Sequence, residues 1–497
     1  MRPVEYVLLI GAVLIIVSIG IARLSENLGV PALLLFLGVG MLAGSEGPGG
    51  IYFDDAHLSR SVGVIALVFI LFAGGLDTKW TEVKPVFRQA TILATLGVLL
   101  TAVTVGLFAF SVLKFSLFTG LLLGAVVSST DAAAVFSVLR SKNVSLRGRL
   151  KPLLELESGS NDPMAVLLTI GIIQIITNPE TSLGSIALLF VVQMGLGIIF
   201  GLGFGKAMVF SLNRLTSYYE GVYPVFTLAF AAMAYAATAA VGGSGFLAVY
   251  LMGIYAANSE FVQKKSMLRF FDGLAWLSQI AMFVTLGLLV FPSRIIPIIW
   301  TGLMCSAFLM FVARPFSVFL SLLFERMGWR EKTLVSWVGL RGSVPIVLAT
   351  FPLLAGVADA EAIFNIVFFI VLTSALFQGW SIPVVARLLR LDAPIQQRRQ
   401  YPIEYAPMPG VDTQLVEFII PYSSAIAGKR VVELGLPRDS LIVLVNRDEN
   451  FFVTSGGTIL DGGDVVLVLV NQNNLTGVRQ ILMEWKKPKE KDDAKLK

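Results

Sequence analysis

The chain of 497 residues contains one cysteine and one histidine. Cys305 has no partner for an intramolecular disulfide, and His57 alone builds neither a His-based metal site nor a His-containing triad within one subunit. Charge is also scarce. Asp, Glu, Lys and Arg make up 14% of the residues against 56% hydrophobic ones, and the mean hydropathy is +0.80. A soluble protein of this size needs far more charge to cover its surface, so lipid must solvate most of this chain. The formal net charge of +5 does not point to nucleic acid: no basic stripe with interleaved aromatics occurs, and loop Lys and Arg account for the balance.

What the chain has instead is a series of apolar runs long enough to cross ~30 Å of hydrocarbon, about thirteen of them. They lie near 5–23, 30–45, 60–77, 86–112, 115–139, 149–177, 183–212, 221–241, 244–259, 268–291, 295–324, 333–353 and 361–388. This predicts an all-α polytopic membrane protein. The first run has only Arg2 ahead of it and no small-residue cleavage pattern, so it reads as a retained helix. Lys and Arg gather in the loops after odd-numbered runs, as in Arg140, Lys142, Arg147, Arg149 and Lys151, whereas loops after even-numbered runs carry Asp54, Asp55, Glu180, Asp359 and Glu361. Basic loops stay in the cytoplasm, which predicts an amino terminus outside the cell membrane and a carboxyl terminus inside.

From about residue 392 the composition changes. A Pro-rich polar linker is expected over 392–408, then a small α+β cytoplasmic domain over 409–484 with strands in QLVEFIIP, SLIVLVNRD, NFFVTS and DVVLVLVN and a helix around GKRVVELGL. The charged end, 485–497, reads as a solvated, disordered tail.

Two carboxylates stand inside the apolar runs. An Asp at the centre of a membrane helix costs about +2.5 to +3.5 kcal/mol, so such residues usually serve an ion pathway. In LLLGAVVSSTDAAAVFSVL, Ser128, Ser129, Thr130 and Asp131 interrupt an apolar helix and compete for backbone hydrogen bonds, which favours an unwound stretch; a helix cap after a loop is the plainer alternative. In LLELESGSNDPMAVLLTIGII, Glu157, Ser158, Asn161 and Asp162 fall within an arc of about 140° at 100° per residue. Pro163 frees the carbonyl of Gly159 beside them. Such oxygen-rich surroundings suit an alkali cation better than a transition metal. In LVSWVGLRGSVPIVLATFP, Gly339, Gly342 and Pro345 around Arg341 predict a second broken helix, with Glu157 as the expected partner of the buried guanidinium. Structural pairing alone also accounts for Glu157. Lys206 falls near the cytoplasmic end of its run, where snorkelling suffices. Interrupted helices in opposite halves of a chain are a signature of inverted-repeat transporters.

The strings SSTDAAAV, ESGSNDPMAV and VGLRGSVPIVLA, together with FILFAGGLD at 69–77, resemble the NhaP-type monovalent cation:proton antiporters over roughly residues 5–390. The resemblance implies an NhaA-like fold with inverted repeats, a dimerisation domain and a mobile core domain, a homodimer, and an exchanger domain spanning 1–391. It further implies a cation held by Thr130, Asp131, Ser158 and Asp162, supported by Asn161, Glu157 and Arg341. QLVEFIIP through GGTILDGGDVVLVLV is similar to the TrkA carboxy-terminal, or RCK-C, domain, and it matches a potassium/proton subset of the family. No GxGxxG follows a strand there, so no cofactor is expected. A small regulatory ligand and a purely dimerising role both stay open for this domain.

The expected function is secondary antiport, not enzymatic catalysis. A proton and K+ or Na+ compete for one carboxylate, Asp162, and the protein exchanges them by alternating access for cation and pH homeostasis. Asn161, where electrogenic relatives resemble an Asp–Asp pair, and the absence of a mid-membrane lysine in FFDGLAWLSQIAMFVTLGLLV imply electroneutral exchange. The alternatives are an RCK-regulated potassium channel and a non-transporting membrane sensor. The nearest string to a selectivity filter, TVGLF at 104–108, lacks the Gly–Tyr–Gly that a channel needs.

Overall fold

A computed structural model describes residues 4–28, 31–178, 180–215, 217, 219–394, 413–447 and 450–483. The expected tail and all but the first residues of the expected linker lie outside them. The chain divides into two compact units, Met1–Gln396 and Gln397–Lys497.

The first unit is built of helices: α1 (Val4–Leu28), α2 (Ala32–Ala43), α3 (Ala56–Asp77), α4 (Trp80–Val112), α5 (Leu117–Val126), α6 (Ala132–Ser141), α7 (Leu150–Thr177), α8 (Leu183–Arg214), α9 (Val222–Ala240), α10 (Gly245–Ala257), α11 (Lys264–Leu288), α12 (Pro292–Ser321), α13 (Trp329–Trp337), α14 (Ser343–Leu354) and α15 (Ala360–Leu388). Among the described residues nine helices are long and apolar enough to cross a membrane, and five shorter apolar ones accompany them. The apolar runs at 115–139 and 333–353 are each two short helices, α5 with α6 and α13 with α14, separated by unwound backbone. Side chains on α1 and α8 are largely exposed, as expected of surfaces solvated by lipid.

Packing divides the helices into two bundles. In one, α3 lies against α10 and α11, α10 against α8 and α9, and α2 against α11 and α1. In the other, α4 and α7 flank α5, while α15 packs on α12 and α14. Lipid tails are as apolar as leucine, so helices in a bilayer associate through close van der Waals packing at small residues. A side chain at Gly75 or Gly253 would collide with backbone at the crossing of α3 and α10, and Gly40 and Gly287 play the same part between α2 and α11. Between the bundles, α14 packs on α3, and Glu46 in the α2–α3 loop accepts the Ser293 amide at 2.7 Å and the Ser293 hydroxyl at the start of α12.

Helices α4 and α12 each contain one π turn, at Leu93–Gly97 and Leu309–Ala313. The second precedes Arg314-Pro315, where proline has no N–H to give the helix ladder. The two meet where the Ser317 hydroxyl donates to the Gly97 carbonyl at 2.5 Å. A short ribbon completes the unit. Strand β1 (Val144–Leu146), between α6 and α7, pairs antiparallel with β2 (Asp392–Pro394), which follows α15.

In the second unit β3 (Thr413–Ile419), β4 (Ser440–Arg447), β5 (Asn450–Val453) and β6 (Val465–Asn471) form an antiparallel sheet in the order β3-β6-β4-β5. Val466, Val468 and Val470 alternate onto its buried face, where they meet Phe418, Ile442 and helix α16 (Leu475–Leu482). All four strands coincide with the alternating runs read from the sequence. The helix expected around GKRVVELGL is a single 3₁₀ turn, Val431–Leu434, ended by Gly435 at φ 58°. Helix α16 is additional to the expectation.

The glycine crossings make a direct test. Gly253→Leu should lower stability by about 1–3 kcal/mol, the usual cost of overpacking, measured by thermal unfolding of purified protein in detergent. Gly203→Leu on α8, where nothing lies within 4 Å of the added carbon, should leave stability unchanged.

Candidate functional site

The α5–α6 break sits where hydroxyl-bearing residues replace apolar ones. Ser128 bonds its own helix end, Oγ to the Ala125 carbonyl at 2.6 Å. Beyond it Asp131 is extended and caps α6, its Oδ1 accepting the Ala134 amide at 3.0 Å. The helix-cap alternative and the unwound stretch are therefore both realised at this one residue. The intact helix α7 runs alongside and meets the loosened peptide groups. Ser158 Oγ donates to the Thr130 carbonyl at 2.8 Å and accepts the Ala132 amide at 3.0 Å, while Asn161 Nδ2 donates to Thr130 Oγ1 at 2.7 Å.

The second break crosses the first. The Asp131 amide donates to the Leu340 carbonyl at 2.7 Å, and Arg341 Nη1 donates to the Ser129 carbonyl at 2.6 Å. Gly342 is required at the crossing, because a side-chain carbon there would collide with the Asp131 carboxylate. The α13–α14 break is anchored to α15: Ser374 Oγ accepts the Arg341 amide, and Gln378 bonds both Ser374 Oγ and the Trp337 carbonyl.

Thr130, Asp131, Ser158 and Asp162 all line one cavity of about 280 Å³, which Ser129, Tyr250, Gly342 and Ser343 also border. Asn161 is fully buried behind it and acts on Thr130. Asp162 is 9% exposed, and its Oδ1 has no hydrogen-bond partner among the described residues. A buried carboxylate oxygen without a donor is costly unless a ligand or proton meets it. The oxygens here are carboxylate and hydroxyl, hard donors that suit an alkali cation as substrate. Asp77, Glu155, Asp272 and Arg140 border the same cavity.

The structure corrects the expected pairing of Arg341 with Glu157. Glu157 Oε1 is held by Arg314 Nη2 at 2.5 Å, with both side chains almost fully buried. Arg314 follows the π turn of α12 and passes Gly339, where any side chain would strike its Nε. Arg341 leaves the α13–α14 break in the direction of the α5–α6 break, so it meets a backbone carbonyl there, although Arg314 and Glu157 remain within Coulombic reach. Arg314 was detectable in the sequence: it is an ionisable residue in an apolar run, FLMFVARPFSVF, the same signal that marks Asp131 and Asp162. Tyr250 and Gln378 carry no such signal, because a tyrosine or glutamine in an apolar run is unremarkable until its neighbours are known.

Comparison with known proteins agrees with this geometry. The family described as sodium/hydrogen exchanger, transmembrane, matches residues 13–388, and the TrkA-C domain matches residues 415–483. The chain is 39% identical over 486 residues to the K(+)/H(+) antiporter NhaP of Alkalimonas amylolytica, covering 97% of this chain and 84% of that one. It is 40% identical over 488 residues to the K(+)/H(+) antiporter NhaP2 of Shewanella sp. (strain ANA-3), with the same coverage. The Na(+)/H(+) antiporter ApNhaP of Aphanothece halophytica is 29% identical over 415 residues, 78% of this chain and 75% of that one. Among solved structures, the fold is similar to that of the sodium proton antiporter MjNhaP1 from Methanocaldococcus jannaschii, with a TM-score of 0.67 at 24% identity over 76% of this chain and 100% of that one. With two crossed helix breaks, buried carboxylates between them and relatives along nearly its whole length, the chain belongs to the sodium/hydrogen exchanger family of multi-pass membrane cation:proton antiporters and carries a TrkA-C domain.

Proposed function

We propose that the protein exchanges K+ for protons across the cell membrane, one for one, at Asp162. The observation that carries this reading is the buried Asp162 carboxylate, with one oxygen unpartnered, in a cavity shared with Thr130, Asp131 and Ser158. Either a proton or a cation satisfies that oxygen, but not both, and this exclusion is what couples the two fluxes. The names of the relatives favour K+ over Na+.

The fixed charges near the site support electroneutral exchange. Glu157 and Arg314 cancel as a pair. The Asp131 carboxylate accepts an amide at the start of α6, where the helix dipole favours its charge. Asp162 is then the carboxylate neutralised by a proton in one crossing and by a cation in the other. Asn161 adds no charge and holds Thr130 in place.

In this reading residues 1–391 cross the membrane thirteen times, with α5–α6 and α13–α14 each counting as one broken crossing. The amino terminus lies outside and the carboxyl terminus in the cytoplasm. The bundle of α4–α7 and α12–α15 is the moving core of an NhaA-like pair of inverted repeats, and the bundle of α1–α3 and α8–α11 carries the surface of a homodimer. The TrkA-C domain, assigned to 409–484 after a linker at 392–408, is the place for a small regulatory ligand.

Two outcomes follow. In everted vesicles from an antiporter-deficient strain, added K+ should evoke proton flux that Asp162→Asn reduces to background and that a clamped membrane potential leaves unchanged. A response to Na+ alone would overturn the K+ assignment. Arg314→Met should leave Glu157 buried and unpaired, lowering stability by about 3–5 kcal/mol in thermal unfolding, whereas Glu157→Leu combined with Arg314→Met should recover most of the loss.

A further inference from the structure

We propose that Tyr250 is a positioning residue for the transported cation, its hydroxyl holding a water of the ion's remaining hydration shell against Asp162. This rests on the reading of Asp162 as the exchange site.

Tyr250 is on α10, in the bundle opposite the helix breaks, and its side chain is among the largest fully buried ones. The backbone carbonyl of Tyr250 is pressed onto Gly75 of α3 at the glycine crossing, which fixes the base of the side chain. The ring reaches across to α7 and lies on Gly159; a methyl group at 159 would overlap the ring and stand 2.5 Å from the hydroxyl oxygen. Gly159 is next to Ser158 and three residues before Asp162, one turn along the same helix face. The phenol group is thereby delivered to the cation residues by a helix that contributes none of them. Its hydroxyl has no hydrogen-bond partner among the described residues, with the hydroxyls of Thr78 and Ser160 nearby. A buried phenol usually finds one.

The cavity it borders, about 280 Å³, is far larger than a bare alkali cation. At about 30 Å³ per water it has room for several waters besides the ion. Asp131, Asp162, Thr130 and Ser158 are too few to replace the whole hydration shell of K+, given that hard cations of this kind take about six to eight oxygens. The retained waters need polar partners, and Tyr250 borders the cavity with a buried hydroxyl beside those of Thr78 and Ser160. Water-bridged contacts of this kind are nearly as strong as direct ones. Because the contact acts on the cation-loaded form and not on the protonated one, it tilts the competition at Asp162 toward the ion.

The test is K+-driven proton flux in proteoliposomes holding the purified full-length protein, as wild type, Tyr250→Phe and Asp162→Asn, with K+ titrated against thermal unfolding of the same samples. Phenylalanine keeps the ring on Gly159, so folding and kcat should stay near wild type. The apparent KM for K+ should rise about five- to tenfold, the value of one hydrogen bond, the K+ protection curve should shift by the same factor, and discrimination against Na+ should weaken. Unchanged KM and protection in Tyr250→Phe, or a fall in kcat at constant KM, overturns the assignment while leaving Asp162 as the exchange site. Wild type without K+-driven flux overturns the antiport reading, and the protection curves then decide Tyr250 alone: a shift in Tyr250→Phe upholds it, and identical or absent protection removes it.

Discussion

A peptide group released from a helix inside a bilayer has no water to turn to, and this constraint organises the membrane unit of the protein. At two places the chain gives up helical hydrogen bonds in the interior of the helical unit, and each loosened segment is satisfied by the other and by side chains of intact helices. The Asp131 amide finds the Leu340 carbonyl, the Ser129 carbonyl finds Arg341, and Ser158 serves two backbone groups at once. The polar residues gathered at the breaks are therefore structural ones. Ser158 closes the backbone account of the α5–α6 break, Asn161 holds the Thr130 hydroxyl beside it, and one oxygen of the Asp162 carboxylate is left without a donor among the described residues.

The charged groups obey the same accounting. Arg314 and Glu157 come from helices distant in the chain and are paired out of reach of water, an arrangement that contributes little net stability but penalises any other register of α7 against α12. Arg341, at least as deeply buried, is stabilised by a carbonyl in place of a carboxylate. One guanidinium thus locks the helices and the other holds the breaks together, a division of labour that their similar surroundings in the sequence do not reveal.

Much of this was legible beforehand, for physical reasons that differ from residue to residue. The helices and both breaks follow from apolar length and from polar or glycine-rich interruptions, which are local properties of the chain. The β-strands of the second unit follow from period-two alternation, as in VVLVLVN, whereas the amphipathic helix α16 is too short to stand out and the GKRVVELGL segment is stopped by glycine after one turn. Grouping Thr130, Asp131, Ser158 and Asp162 needed the family resemblance, since nothing local says that two helices meet there. The partner of Glu157 was not legible at all. Two arginines stand in apolar runs, and only the π turn of α12, the clearance at Gly339 and the direction in which the α13–α14 break points decide between them. Tyr250 is similarly silent in the sequence, because its significance comes from a glycine on another helix.

The β1–β2 ribbon has a mechanical meaning. The chain does not leave the membrane unit as a slack tether. Its last described strand there is bonded, residue by residue, to the loop between α6 and α7, with Arg147 adding its amide to the Leu391 carbonyl and its Nε to the Asp392 carbonyl, each at 2.9 Å. Asp131 caps the first of those helices and Asp162 lies on the second. A pull on residue 394 is accordingly delivered as shear across a zipped pair of strands to the connection between α6 and α7, within reach of both aspartates' helices.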